Sequence, residues 1–139
     1  MTKIIFHLLN IIFVFLYIYP GSLLGFLIYN DISKQPQISS DFIISSNHLY
    51  AFLFLSSLGL ISYSKSTKKI ILYLILISII LELFHLFIPN RSFQFSDLFG
   101  NIVGVLIPIC ILILFNFWRK KWVHLTKEKK ALKKNLHTI

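Results

Sequence analysis

The chain has 139 residues, of which 56% are hydrophobic and only 14% are charged, and its mean hydropathy is +0.77. These values are far from those of a soluble domain of this size, so the composition indicates an integral membrane protein. The formal net charge is +9. Most of it lies in the segment 119–134, directly after the last apolar run, which is typical of attraction to a membrane surface and argues against nucleic acid as a partner.

Four apolar runs are each long enough to cross a hydrocarbon core about 30 Å thick. They are residues 4–29, 47–64, 69–88 and 98–118. Because the runs are continuous and do not alternate with polar residues, helices are favoured over a barrel. The predicted fold is an all-α, four-transmembrane-helix bundle over residues 1–118, followed by a basic juxtamembrane tail, 119–139. Pro20-Gly21 is expected to kink the first helix or to leave a short separate turn.

The positive charges predict the orientation of the bundle. Lys3 precedes the first run, three lysines lie between the second and the third, and a basic segment follows the fourth. The positive-inside rule therefore places both termini in the cytoplasm of a multi-pass membrane protein.

The basic tail has two interpretations. Juxtamembrane Lys and Arg side chains are attracted to anionic lipids of the cytoplasmic leaflet by about 1 kcal/mol each, and a tail helix could lay an apolar stripe on that surface. The stripe would consist of Trp122, Leu125, Leu132, Leu136 and Ile139. The alternative is a solvated tail that only fixes the topology.

With this topology, polar residues of three helices and one loop converge at the extracytoplasmic face. His48 opens the second span, Glu82 and His85 share a face near the end of the third, and Asp97 begins the fourth. A carboxylate at the centre of a transmembrane helix costs about 2.5–3.5 kcal/mol, so such a residue is by default a functional candidate. The candidates for proton transfer are Glu82, His85, His48 and Asp97. The candidates for ligand binding are Arg91 and Asn101.

Each candidate also has a structural interpretation. Asp97 could simply cap the fourth helix, and His48 could be an interfacial histidine. Arg91 could fold back to pair with Glu82 or Asp97, or it could face outward to bind a phosphate or carboxylate of a ligand.

Gly100 and Gly104 form a small-xxx-small pair that lets a neighbouring helix approach closely. We expect that neighbour to be the third span, with Asn101 within hydrogen-bonding reach of it.

No metal and no cofactor is predicted. Although His48, Glu82, His85 and Asp97 could in principle hold one zinc ion, their spacing is not a zinc signature.

The same positions resemble those of a known family. A His opens the second span, an acidic residue lies three before a polar residue near the end of the third, and Pro-x-Arg-x(5)-Asp-x(3)-Asn-x(2)-Gly follows. The matching residues are His48, Glu82, His85, Pro89, Arg91, Asp97, Asn101 and Gly104. This pattern, over about residues 47–114, resembles the VanZ-like family of bacterial membrane proteins, which is named after a protein associated with teicoplanin resistance. His85 replaces the family's usual Gln, and Ile44-Ser45 stands where the family often has Asp-Lys.

The resemblance implies a cell-envelope protein but no particular reaction. Three functions are therefore considered. The first is a site that binds or modifies an envelope lipid or a lipid-linked glycan or glycopeptide-type ligand. The second is a noncatalytic module that binds another envelope protein and whose polar cluster is structural. The third is a small transporter, which is disfavoured because the inner halves of the four helices look wholly apolar.

Overall fold

The computed structural model describes residues 1–40 and 43–136, with side chains up to residue 129. All regular structure in these residues is helical, which confirms the prediction of an all-helical protein. The helices are α1 (Thr2–Ile18), α2 (Leu23–Tyr29), α3 (Ser46–Ser62), α4 (Thr67–Phe84) and α5 (Phe95–Leu136), and a 3₁₀ turn, Ser64–Ser66, joins α3 to α4.

The core lies where α1, α3 and α4 pack against one another in pairs. Its centre is formed by large apolar side chains that are almost fully buried, among them Phe6, Phe52, Leu55, Leu74 and Leu81. The outward side chains of the same helices are also apolar and are exposed. Helices that are apolar on all sides are typical of a membrane environment, because lipid takes the place of water around them.

The first apolar run is broken, as Pro20-Gly21 predicted. Helix α1 ends at Ile18, and α2 is bent by 81° relative to it. Gly21 has a φ of +91°, and a Cβ atom there would lie 2.6 Å from the side chain of Ile32, so only glycine fits this turn. The Ser22 hydroxyl then accepts a hydrogen bond from the Gly25 amide and caps α2.

One helix in the described part of the chain is long and apolar enough by itself to cross a membrane, namely α5 over Phe95–Lys129. Helices α1 and α2 meet the same criterion only as a bent pair. Helix α3 has 17 residues, and the 18 residues of α4 include Lys68, Lys69 and Glu82. The number of spans and the location of the termini therefore stay predictions.

The chain consists of two compact units, Met1–Pro108 and Ile109–Ile139. The first contains the three-helix core and all candidate site residues. In the second, residues up to Leu136 are helical, and Trp122 and Leu125 are exposed. Ile139 and the side chains of Leu132 and Leu136, which belong to the proposed tail stripe, lie outside what is described.

Candidate functional site

The predicted site residues meet at the end of the first unit where α3 begins and α4 ends. His48 lies in the first turn of α3, Glu82 in the last turn of α4, and His85 directly follows that helix. Asp97 and Asn101 come from the first two turns of α5. A tyrosine of α1 completes the group. We call this group the His48 cluster, and it consists of Tyr17, His48, Glu82, His85, Asp97 and Asn101.

Glu82 is fully buried at the centre of this cluster. Its Oε1 accepts a hydrogen bond from the main-chain amide of Gln94 at 3.1 Å and lies 3.3 Å from His85 Nδ1. Its Oε2 has no hydrogen-bond partner among the described residues, and it lies 3.8 Å from His48 Nδ1. One carboxylate oxygen is thus well satisfied, whereas the other is buried and free, which is an unfavourable state for a charged group.

His85 bridges α1 and α4. Its Nε2 lies 3.2 Å from the Tyr17 carbonyl oxygen, and since a carbonyl can only accept, this nitrogen is the donor. Its Nδ1 lies 3.3 Å from Glu82 Oε1. The His85 ring also stacks on the Tyr17 ring, with centroids 5.7 Å apart and planes 13° apart. Tyr17 therefore holds the His85 ring in place against the Glu82 carboxylate.

Asn101 fixes the orientation of His48. The Asn101 Nδ2 donates to the Ser78 carbonyl of α4 at 3.1 Å, which directs Oδ1 toward the cluster. This Oδ1 accepts from the Tyr17 hydroxyl at 2.9 Å and lies 3.1 Å from His48 Nδ1. His48 Nδ1 must therefore carry a hydrogen. The second nitrogen, Nε2, then faces Asp97 Oδ2 at 3.5 Å, so Asp97, in the first turn of α5, contacts His48 directly.

Arg91 does not fold back to a carboxylate. Its guanidinium donates to the carbonyls of Leu16 and Tyr19 at 3.3 and 3.4 Å and to Gln35 Oε1 at 3.5 Å. No ion pair joins it to a carboxylate of the described residues. Burial lowers the pKa of Arg91 from its ordinary value, and the nearby Tyr17, Asp97 and Glu82 partly oppose this effect. The bidentate pair considered from the sequence is thus wrong.

Gly100 and Gly104 lie against α3. A Cβ atom at Gly100 would fall 2.7 Å from the Ser45 carbonyl oxygen, and one at Gly104 would fall 2.5 Å from that of Leu49. The sequence predicted that these two glycines contact the third span, which is α4. That prediction is wrong, because both glycines lie against α3. Asn101 lies between them in sequence but on another face of the helix, and it does reach α4.

Two cavities adjoin the His48 cluster. The first has a volume of about 430 Å³ and an apolar lining that includes Leu16, Leu24 and Ala51. The second has a volume of about 280 Å³ and a mainly polar lining that includes His85 and Asp97. Three residues line both cavities, namely Ser22, Gln35 and Arg91.

A loop closes one side of the apolar cavity. Pro36 and Ile38 line it, and the side chain of Asn47 holds this loop by accepting from the Ile38 amide at 2.9 Å and donating to the Pro36 carbonyl at 2.6 Å. Ser45 is the N-cap residue of α3, but its side chain makes no capping hydrogen bond.

The sequence interpretation missed two features. Tyr17 contacts His48, His85 and Asn101, although in the sequence it is only one of several aromatic residues of the first run. A second polar group lies toward the other end of the bundle. We call it the Asn10 cluster, and it consists of His7, Asn10, Tyr63 and Tyr73. The expectation that this half of the helices is wholly apolar is therefore wrong, and a lone Asn in an apolar run was the available signal.

The model of the VanZ/LLP1 family matches residues 3–116. The match includes the whole His48 cluster and extends toward the N-terminus well beyond the predicted region 47–114, so that it takes in Tyr17 and α1 from residue 3 onward. The chain belongs to the VanZ/LLP1 family. Among curated proteins and solved structures, none matches it significantly.

Proposed function

We propose that this VanZ/LLP1 protein binds the anionic head group of an envelope lipid or of a lipid-linked glycan or glycopeptide-type ligand in the polar cavity, with the lipid's hydrocarbon in the apolar cavity. The observation that supports this proposal most directly is that the two cavities share Arg91, Ser22 and Gln35. An amphipathic ligand needs adjoining polar and apolar compartments of this kind.

Arg91 provides the charge for this recognition. Its guanidinium is partly buried and bound only to neutral oxygens, at 3.3–3.5 Å, which are long distances for charge-assisted hydrogen bonds. A phosphate or carboxylate would supply shorter bonds and the missing negative charge. The planar guanidinium can hold either group in bidentate fashion.

The proposal places the site at the extracytoplasmic face of the bacterial cytoplasmic membrane, with four spans and both termini in the cytoplasm. Helices α1, α3 and α4 have 17 or 18 residues, which is about 26 Å of helix and close to the thickness of the hydrocarbon core. Lys3 in the first turn of α1, Lys65 between α3 and α4, and Lys68 and Lys69 in the first turn of α4 support this orientation.

Proton transfer is a further part of the proposal. His85 and Asp97 line the polar cavity, whereas Glu82 is fully buried behind them. In this arrangement His85 and Asp97 would exchange protons with a bound head group, and Glu82 and His48 would accept or return them.

Native mass spectrometry of protein purified from bacterial membranes tests the binding. We expect the wild type to carry an anionic lipid, whose mass distinguishes a phospholipid from a lipid-linked glycan. Arg91→Ala should reduce the bound fraction at least about tenfold, which corresponds to about 1.4 kcal/mol. Lys34→Ala is the matched control because it removes an exposed cation that only pairs with Asp31.

Two results would contradict the proposal. One is equal lipid retention by wild type, Arg91→Ala and Lys34→Ala, which would mean that the lipid is held by unspecific contacts. The other is the absence of lipid from all three proteins, which would favour the noncatalytic interaction module.

A further inference from the structure

We infer that His48, Glu82 and Asp97 form a binding site for one divalent transition-metal ion. One donor atom from each residue lies within 4.8 Å of the other two. Ligand bonds of about 2.0–2.2 Å in a tetrahedral site imply donor separations of about 3.3 Å. The 3.5 Å between His48 Nε2 and Asp97 Oδ2 is already close to that value.

The first argument is the hydrogen-bond pattern of His48. Because Asn101 Oδ1 requires a hydrogen on Nδ1, a neutral His48 presents a lone pair at Nε2. That lone pair faces a carboxylate oxygen, which is also an acceptor. Two acceptors at 3.5 Å need a positive group between them, either a proton or a metal ion. Metal-bound histidines commonly donate their other N–H to a carbonyl oxygen, as His48 does to Asn101.

The second argument, which is independent of the first, is the free oxygen of Glu82. Oε2 belongs to a fully buried residue and has no hydrogen-bond partner among the described residues. It lies near His48, at 3.8 Å from Nδ1, and Glu82 offers a donor oxygen within 4.8 Å of donor atoms of both His48 and Asp97. The other oxygen is fixed by the Gln94 amide and His85, so Oε2 is held in place toward the cluster. A metal ion would supply the partner that this oxygen lacks.

The donor set and the access route are consistent with metal binding. One imidazole and two carboxylates suit zinc or manganese, and two negative charges favour a divalent ion. Asp97 lines the polar cavity, and its side chain is 17% exposed, which provides an entry path for the ion. His85 is directed to Tyr17 and to the satisfied oxygen of Glu82, so it supports the site from outside.

This inference does not depend on lipid binding, and the two can fail separately. The test uses the full chain in detergent, stripped with a chelator, incubated with Zn²⁺ and desalted, with zinc measured by elemental mass spectrometry. We expect about one zinc ion per wild-type chain. Asp97→Asn and His48→Gln should lose it, and Asn101→Ala should bind it about 10–100-fold more weakly, because His48 loses its orienting acceptor.

Lys34→Ala and His124→Ala are the controls that should keep the zinc. The first removes an exposed cation that pairs with Asp31, and the second removes an exposed tail histidine that pairs with Glu128. X-ray absorption of the zinc-loaded wild type needs no variant to fold, and it should show one imidazole with oxygen ligands.

A wild type that retains no zinc would overturn the inference and assign a proton to His48 Nε2. Zinc retained by folded Asp97→Asn and His48→Gln, or a spectrum with several imidazoles, would overturn it as well.

Discussion

The two polar clusters of the helical bundle differ mainly in charge. The His48 cluster contains two carboxylates and two imidazoles, and it joins α1, α3, α4 and α5. The Asn10 cluster uses an amide, two tyrosine hydroxyls and an exposed histidine, with His7 Nε2 at 2.6 Å from the Tyr63 hydroxyl. Neutral hydrogen bonds between helices are a common means of holding a membrane bundle together. Buried carboxylates are an expensive means to that end, so the contrast supports the proposal that the His48 cluster is the functional site.

Each cluster also contains one buried oxygen without a hydrogen-bond partner in the described residues, namely Asn10 Oδ1 and Glu82 Oε2. An unsatisfied amide oxygen is a moderate penalty, whereas an unsatisfied carboxylate oxygen is a severe one unless a proton or cation is present. The same local defect therefore has different consequences in the two clusters.

The largest expected difference concerns stability after removal of the central polar group. Glu82→Leu should destabilise the protein by about 3–5 kcal/mol, because it leaves His85 and the Gln94 amide without their buried partner. Asn10→Leu should cost only about 0.6 kcal/mol, the average for hydrogen bonds between transmembrane helices. Equilibrium unfolding in detergent micelles measures both values. Equal losses would break the distinction between the two clusters.

A smaller difference is expected for helix packing near the two clusters. Gly104→Ala places a Cβ atom 2.5 Å from the Leu49 carbonyl oxygen. Because a backbone atom cannot move aside as a flexible side chain can, the substitution should lower the free energy of unfolding by about 1–3 kcal/mol. Gly59, toward the Asn10 cluster, meets only side chains of Phe6, Ile70 and Leu74 at 3.0–3.4 Å. Gly59→Ala should therefore change the stability by less than about 1 kcal/mol, since alanine favours the helix by a similar amount. The same unfolding assay compares them, and a tolerant Gly104 would argue against close packing of α5 on α3.

The smallest expected effect is a change in the pKa of Asp31, an exposed carboxylate that contrasts with the buried Glu82. Hydrogen bonds from the Ser33 hydroxyl and amide, at 2.7 and 2.9 Å, lower the pKa of Asp31 from 3.8. The turn is therefore stabilised above pH 3.8, and this contribution disappears as the pH falls through the lower, folded-state pKa.

Ser33→Ala should raise the Asp31 pKa toward 3.8, as measured by an NMR titration of the Asp31 carboxyl carbon. Ser39→Ala is a control that leaves Asp31 in place. An unchanged Asp31 pKa in Ser33→Ala would contradict the hydrogen bond from the Ser33 hydroxyl.

Much of the fold could be predicted from local sequence. Helices follow from continuous apolar runs, and the break after α1 follows from Pro20-Gly21, because both depend on neighbouring residues only. Helix ends were less predictable. The third run was expected to continue to residue 88, but α4 ends at Phe84. After it, the amides of residues 85–87 bond to carbonyls three residues back, which gives tighter turns in place of an α-helix.

The site shows the same division. Spacing along the chain places Glu82 and His85 on one face of a helix, and polarity in an apolar chain distinguishes His48, Asp97 and Asn101. Neither reveals that Arg91 contacts the end of α1 and not a carboxylate, since that depends on the bend between α1 and α2. Tyr17 could not be predicted either, because an aromatic residue in an apolar run carries no polar signal.

The sequence by itself determined that the protein is helical and apolar and that a few charged groups had to find partners within it. Those properties follow from composition and from the period of the helix, which are local. Only the tertiary structure decided which partners they find: Asn101 orients His48, and His85 contacts one oxygen of Glu82. The other Glu82 oxygen has no hydrogen-bond partner among the described residues and lies on the side of His48. Such choices are made by distances of a few ångströms between helices that are far apart in sequence, and no local pattern encodes them.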